Sequence, residues 1–295
     1  MIKSRKNYKK KIGKKTRKFK NMVCSPKKNS LKFSCYTKSA LFKLKNIWNK
    51  RHPTSKIIAN NPKKIWEQLK MLMEKTCKKE SCWLKHQCIR NDINFDKMKK
   101  MFAPTSPIEW KKNKYEWLST IDIQNAMKQW EKYDKSFRFL GASPLDYDSK
   151  IVNGQCVWDD LCKFDLESEL KEGVKKIGIV FNLDKHDKPG SHWVGVYVDV
   201  IKKHIYFFDS YGDPPPARIM RFCKTVKNQA KKLNLNYKII INKKRHQYKD
   251  GQCGMYSMYF IISLLKGMSF KTINKNVIKD EKMSKFRKKY FNIPE

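Results

Sequence analysis

The feature that most constrains the fold is a series of apolar runs between residues 174 and 266. Four runs are rich in β-forming residues: 176–183, 192–200, 204–209 and 235–242. Between the third and the fourth, three prolines precede apolar residues at helical spacing. We therefore predict an α+β fold with a mixed central sheet flanked by helices.

A cysteine stands where the last of these elements begins. In HQYKDGQCGMYSMYF, a polar loop ends at Cys253, and apolar residues then recur every three or four positions through Leu265. This spacing predicts a buried helix that opens at Cys253. The partial positive charge and free N–H groups of a helix N-terminus favour a thiolate. Gly251 and Gly254 allow the chain to turn tightly there.

Polar residues at the ends of strands complete a candidate nucleophilic site. His192 opens the second β run and Asp209 closes the third, so an antiparallel hairpin turning at 202–203 would bring them side by side. The aspartate would then orient the imidazole while the histidine accepts the thiol proton. Gln247 lies six residues before Cys253 and offers a side-chain amide for an oxyanion hole.

Each of these residues, taken alone, also has an ordinary structural interpretation. Cys253 suits a core, His192 could simply end a strand, and Asp209 precedes a turn. The prediction of catalysis therefore depends on their order and context along the chain.

In that order the residues resemble those of the ubiquitin-like-protein-specific cysteine proteases and their adenovirus endopeptidase relatives. The matching elements are HW at 192–193, FFDS around Asp209 and Q-x5-C-G at 247–254. WLSTIDI, from Trp117, resembles the start of the family's catalytic domain, and the similar residues together cover about 115–266. Papain-like enzymes place the cysteine before the histidine and are disfavoured.

The resemblance implies a cysteine-protease fold of the adenovirus-endopeptidase type and a role for each matching residue. Cys253 is implied as the nucleophile, His192 as the base and acid, Asp209 as the orienting group and Gln247 as the oxyanion donor. The implied reaction is peptide cleavage through a thioester.

Two tryptophans are implied as walls of a narrow tunnel for a small-residue stretch such as Gly-Gly before the scissile bond. These are Trp117 and Trp193, although burial in the core is an equally open interpretation of Trp117. Gln252 departs from the Asp that cellular members often carry, and FRFLGASPLDYD at 137–148 looks more like thiol proteases of large DNA viruses. The implied substrates are viral structural polyproteins or ubiquitin-like precursors and conjugates, in the host cytoplasm or the virion.

The net charge of +40, from 67 Lys and Arg against 27 Asp and Glu, predicts attraction to a polyanion. No acid precedes Glu67. We predict a basic, largely disordered arm at 1–60, a helical region at 61–110 and a protease domain at 111–295, so the extension would be basic and mainly helical. Through its N-terminus the chain would bind DNA or RNA without sequence preference. Two alternatives stay open: a nucleic-acid-binding or packaging protein on a protease-like fold, and acyl transfer to lysine or serine by the same triad.

Nine cysteines without a secretory signal predict free thiols in a reducing, intracellular compartment. The segment CKKESCWLKHQC spaces its Cys and His residues by gaps of four, three and one, which fits a structural zinc site poorly. Buried thiols are the preferred interpretation, and no metal or other cofactor is predicted. The longest apolar stretch, 259–265, is too short to span a bilayer.

Two further helices are predicted from capping signals. One is capped by Asn61, has Pro62 in its first turn, and carries an apolar face that includes Leu72. The other is capped by Ser119 or Thr120.

Overall fold

The computed structural model describes residues 23–26, 31–90 and 95–293, with the side chains of Gln87 and Cys88 left out. Two units are present: a smaller one, Met1–Thr105 with Tyr290–Glu295, and a larger one, Ser106–Lys289. Most of the predicted protease domain, 111–295, falls in the larger unit, and its last six residues group with the smaller one. Residues 1–22 and 27–30 of the predicted basic arm lie outside the described residues.

A five-stranded mixed sheet forms the centre of the larger unit. Its strands follow the order of the sequence: β1 (Phe137–Ser143), β2 (Lys176–Asn182), β3 (Trp193–Asp199), β4 (His204–Phe208) and β5 (Lys238–Ile241). Strands β2, β3 and β4 pair antiparallel, whereas β1 pairs with β2, and β5 with β4, in parallel. The predicted α+β class with a mixed central sheet is confirmed, although β1 was not among the predicted strands.

The α-helices of the larger unit are α6 (Thr120–Tyr133), α7 (Asp159–Cys162), α8 (Leu166–Lys171), α9 (Ala217–Lys232), α10 (Cys253–Leu265), α11 (Phe270–Lys275) and α12 (Asp280–Tyr290), whose last residue groups with the smaller unit. The predicted cap of α6 is Ser119, whose Oγ accepts from the Asp122 backbone at 3.2 Å while Asp122 Oδ2 accepts from the Ser119 backbone at 2.9 Å. This reciprocal pair is a capping box. It fixes the entry to α6 directly after Trp117 and Leu118.

The central strands are apolar on both faces because helices cover both faces. Helix α10 packs on β2 and β3, and the Phe260 ring stacks on Phe208 with centroids 5.0 Å apart. Phe207 faces a separate cluster that includes Phe222 and Val226 of α9. A sheet enclosed in this way needs nearly continuous apolar runs, which is the pattern of the sequence from 176 onward.

The smaller unit is helical, with α1 (Lys38–Arg51), α2 (Pro62–Met73), α3 (Glu80–Trp83), α4 (Gln87–Arg90) and α5 (Phe95–Lys99). Asn61 caps α2 as predicted, its Oδ1 accepting from Lys63 N at 2.9 Å. Of the apolar residues of this helix, Ile65, Leu69 and Met73 are buried, whereas Leu72 is 36% exposed. The buried apolar face of α2 is narrower than predicted.

The prediction of a largely disordered arm at 1–60 is wrong for residues 38–51, which form α1. Leu41, Leu44 and Trp48 are buried on one face of this helix. Lysines dominate its other faces, and their density masked the apolar stripe in the sequence.

The prediction of free thiols is also wrong for six cysteines. Disulfides join Cys24 to Cys35, Cys77 to Cys82, and Cys156 to Cys162, with Cα separations of 5.2, 5.5 and 6.3 Å. These separations lie within the range of ordinary disulfides. The prediction rested on the odd number of cysteines and the lack of a secretory signal. Neither feature shows which cysteines the fold brings within disulfide distance. Cys223 and Cys253 are the free cysteines among the described side chains.

Within the described residues, no helix has the length and apolar character needed to cross a membrane.

Candidate active site

The β3–β4 hairpin brings His192 and Asp209 together. Gly195 of β3 pairs with Phe208 of β4, so the residue before β3 and the residue after β4 lie at the same end of the sheet. His192 Nε2 lies 2.7 Å from Asp209 Oδ1, and both side chains are buried. The predicted hairpin and the predicted proximity of these two residues are therefore present.

Two neighbours fix the orientation of Asp209. Its Oδ1 accepts from the Tyr211 backbone N–H at 2.8 Å. Asn242, which follows β5, accepts from Asp209 N and donates to Asp209 O, both at 2.7 Å. The Tyr211 ring also stacks on the His192 imidazole, with centroids 4.6 Å apart and planes 7° apart. Sequence reasoning missed both neighbours, although Asn242 is a polar residue closing a β run.

Cys253 is the first residue of α10, as predicted, and is buried with 3% exposure. Its side chain interacts with the His192 ring strongly enough to raise the pKa of that imidazole. Because Nε2 of the ring is bound to Asp209, Nδ1 is the nitrogen left for the thiol. The site therefore places Cys253, His192 and Asp209 in the order of a Cys–His–Asp arrangement.

The charge of His192 follows from its surroundings. Burial alone would lower its pKa, but hydrogen bonds to Asp209 and Cys253 outweigh burial and raise the pKa to about 9. The ring is therefore protonated at neutral pH, beside a cysteine. The other free cysteine differs, since burial raises the pKa of the Cys223 thiol to about 12. Cys223 is thus an inert core thiol.

Two glycines shape the approach to Cys253. Gly251 has φ of +80°, and a Cβ placed there would lie 2.0 Å from the Tyr115 carbonyl oxygen. A Cβ at Gly254 would meet Trp193 Cδ1 at 3.3 Å. Only glycine fits at position 251, because any side chain would collide with the Tyr115 carbonyl. Position 254 leaves little room for a side chain beside Trp193.

Gln247 is buried beside this loop with its amide partly engaged. Its Oε1 accepts from Ser210 Oγ at 2.8 Å, and its Nε2 donates to Lys249 O at 2.8 Å. The amide nitrogen carries two hydrogens, so one remains for an acceptor in the site. Gln252 is turned toward α12 instead, donating to Asp280 O at 3.0 Å.

A cleft of about 480 Å³ lies between Trp117 and the β2–β3 loop, a volume suited to binding an extended ligand. Its lining consists of Trp117, Leu118, Ser119, Thr120, Pro144, Val157, Trp158, Asn182, Lys185, His186, Lys188, Pro189, Gly190 and Trp193. Trp117 is 40% exposed, which excludes its interpretation as a core residue. Trp193 is buried and donates from Nε1 to Leu118 O at 3.1 Å.

In the described part of the chain, no three His, Cys, Asp or Glu side chains come together as metal ligands. What the site does contain is a thiol, an imidazolium, a carboxylate and a spare amide N–H. This set can perform acyl transfer.

Comparison with known proteins identifies the family. Residues 97–294 match the Ulp1 protease family, C-terminal catalytic domain. The chain belongs to this family. It is a cysteine-type peptidase, and the predicted resemblance is confirmed.

The relatives of this Ulp1-family chain include viral enzymes. A thiol protease of Acanthamoeba polyphaga mimivirus is 31% identical over 242 residues, covering 79% of this chain and 76% of that protein. A cysteine protease of African swine fever virus is 30% identical over 253 residues, covering 78% of this chain and 90% of that protein. The crystal structure of the African swine fever virus protease shares the fold, with a TM-score of 0.71 and 23% identity, covering 93% of this chain and 97% of that chain.

Proposed function

We propose that this chain is a viral endopeptidase that cleaves protein substrates through a Cys253–His192–Asp209 triad. The observation that carries the proposal is the 2.7 Å contact of His192 Nε2 with Asp209 Oδ1. Cys253, at a helix N-terminus, acts on the same ring and helps to raise its pKa. Family membership alone would not assign these roles, whereas the connected geometry supports each of them.

In the proposed acylation, the Cys253 thiolate attacks the carbonyl carbon of the scissile bond and a C–S bond forms. The Cys253 backbone N–H and the spare N–H of Gln247 stabilise the negative oxygen of the tetrahedral intermediate. The intermediate collapses when the C–N bond breaks. The leaving amine takes a proton from the His192 imidazolium, so the ring becomes neutral.

Deacylation returns the site to its starting state. The neutral His192 removes a proton from a water molecule that attacks the thioester carbonyl. The C–S bond breaks, the carboxylic acid product leaves, and the Cys253 thiolate again faces an imidazolium. Asp209 holds the ring in one orientation through both steps and stabilises its charged form.

The substrate is proposed to enter between Trp117 and Trp193 with a Gly-Gly-like stretch before the scissile bond. The two indoles line the same cleft, and Gly254 brings the start of α10 close to Trp193. One relative from African swine fever virus is named a SUMO-1 cysteine protease. Ubiquitin-like precursors or conjugates and viral polyproteins are therefore the proposed substrates. Six cysteines form disulfides, so free thiols no longer support a reducing compartment for this chain. The proposed site of action, the host cytoplasm or the virion, is supported instead by the viral relatives.

The test is cleavage of a peptide library by the full chain, with products read by mass spectrometry. Wild type should release new termini after Gly-Gly-like sequences, and Cys253→Ala and His192→Ala should release none. Lysine or serine acceptors added to the reaction separate peptidase from acyltransferase. Acyl products in place of free acids would overturn hydrolysis as the reaction, and cleavage by Cys253→Ala would overturn the triad.

We further propose that the fold is of the adenovirus-endopeptidase type, with a basic, mainly helical N-terminal extension that binds nucleic acid through its basic arm at 1–60. Residues 1–60 contain 20 Lys and Arg and no Asp or Glu. Phosphate contacts release counterions, so binding to DNA should weaken steeply with salt and show little sequence preference. Deleting residues 1–20 should flatten that salt slope and spare peptide cleavage. An unchanged slope would refute binding through this arm.

A further inference from the structure

Arg287, on α12, is a buried cation at the back of the site. The residue is 3% exposed. Its Nη1 donates to Glu116 O at 2.7 Å, and its Nη2 donates to Tyr115 O at 3.3 Å and, more closely, to Gly251 O. Its guanidinium carbon lies 4.3 Å from the centroid of the Trp110 ring. The hydrogen-bond partners of Arg287 among the described residues are thus neutral carbonyls, and its cation–π partner is an aromatic face.

A buried guanidinium without a bonded carboxylate is costly, so its retention calls for a compensating anion. The Glu116 carboxylate is nearby, but its oxygens accept from Asn113 Nδ2 and from the Trp117 backbone instead. No described carboxylate forms an ion pair with Arg287. The site thus has a permanent positive charge that its acidic residues leave unpaired.

The hydrogen bonds of Arg287 lead to two parts of the site. Gly251 lies two residues before Cys253, and the carbonyls of Tyr115 and Glu116 lie directly before Trp117. One side chain therefore joins the loop that carries the nucleophile to the segment that carries a wall of the cleft.

The charge of Arg287 also acts on Cys253. Burial lowers the pKa of Arg287 to about 10. Cys253 acts in the other direction and raises this pKa more than any other neighbouring group does. The guanidinium is still protonated at neutral pH. His192, which is bonded to Asp209, and Tyr211 also interact with Cys253, and Glu116 and Tyr115 interact with Arg287.

We infer that Arg287 is a positioning residue of the active site, which favours the thiolate of Cys253 by its charge and fixes the Gly251 loop against the segment before Trp117. The inference rests on the proposed role of Cys253 as nucleophile. His192 supplies a positive charge that disappears when it gives up its proton, whereas that of Arg287 persists through the reaction. A thiolate regenerated by deacylation would thus face at least one cation at every step.

The test measures the rate of Cys253 alkylation by iodoacetamide as a function of pH, by mass spectrometry of the full chain. Iodoacetamide is neutral, so its approach does not depend on the charge of the protein. Arg287→Gln removes the charge and keeps amide donors, and Arg287→Met replaces the guanidinium by an apolar stem that suits the Trp110 face. In each folded neutral variant the midpoint should rise by about one pH unit, as loss of a nearby opposite charge does.

Two controls separate charge from general stability. Lys288→Gln removes an equal charge from the next, exposed residue of α12 and should leave the midpoint unchanged. Arg287→Lys keeps the charge and should hold the midpoint near that of wild type while shortening the reach to the carbonyls. A merely structural Arg287 would lower the unfolding temperature without moving the midpoint.

The outcomes are distinct. An unchanged midpoint in a folded Arg287→Gln or Arg287→Met protein overturns the inference and leaves the proposed function standing. If Cys253 in the wild type reacts no faster than the buried Cys223, the proposed function itself fails, and the inference fails with it.

Discussion

The buried carboxylate of Asp209 lies 2.7 Å from His192 Nε2, across the open end of the β3–β4 hairpin. This contact assigns Nε2 to the aspartate and leaves Nδ1 for Cys253. It also contributes to raising the pKa of His192 to about 9, so the resting site contains an imidazolium. The relationship governs the predictions for both His192 and Asp209.

The pKa of His192 should depend on Cys253. Burial lowers this pKa, and the hydrogen bonds to Asp209 and Cys253 raise it to about 9. Removing the thiol in Cys253→Ala should therefore lower the titration midpoint of the ring, measured by ¹⁵N NMR of labelled histidine. Cys223→Ala, which removes the inert core thiol, should not change it. A wild-type midpoint at or below 6.5 would show that the ion pair does not form.

His246 should make the protein less stable in acid, because its pKa is lowered in the folded protein whereas that of His192 is raised. Burial, aided by Lys244, lowers the pKa of His246 to about 4, and its Nε2 has no hydrogen-bond partner among the described residues. Its contribution to stability is fully present above the ordinary value of about 6.5 and is lost as the pH falls toward 4. Between pH 6.5 and pH 4, the free energy of unfolding measured in urea should fall more steeply in wild type than in His246→Phe, by up to about 1.4 kcal/mol per pH unit. Parallel slopes would contradict this.

The elements of the site that local patterns encode were predictable, and those that depend on distant contacts were not. The hairpin and the start of α10 follow from alternation and periodicity around His192, Asp209 and Cys253. Strand β1 was missed because Gly141 and Ala142, which are poor β-formers, weaken the β pattern of its sequence. Arg287 was missed because it is one cation in a lysine-rich segment, and only folding shows that its side chain turns inward to the Gly251 carbonyl.

Loss of the Gln247 amide should slow the chemical step. Gln247→Ala should reduce kcat by about 10² to 10³, the usual effect of removing one oxyanion donor. Gln252→Ala is the matched control, because its amide binds Asp280 and Ser284, and it should cost stability more than kcat. Full kcat in Gln247→Ala would remove this residue from the oxyanion hole.

Asp209→Asn should keep a weak activity, with kcat about 10⁴ below that of wild type, as in a triad with a misoriented imidazole.

Trp117 should act on substrate binding rather than on folding. Because its ring is 40% exposed, Trp117→Ala should leave the unfolding temperature nearly unchanged. The loss of one aromatic wall should reduce kcat/KM about tenfold, mainly through KM, for a contact of about 1.4 kcal/mol. Ile108→Ala is the control, since Ile108 is exposed and does not line the cleft. Equal effects of the two substitutions would argue against a wall at Trp117.

The nucleophile can be tested directly by covalent trapping of the native chain with a peptide that ends in Gly-Gly and carries a vinyl methyl ester electrophile. Intact mass and peptide mapping would locate the adduct. We expect a single adduct on the Cys253 Sγ, absent in Cys253→Ala and lost when the wild type is unfolded in urea. An adduct on another residue, or an undiminished adduct in Cys253→Ala, would contradict the assignment of Cys253 as the nucleophile.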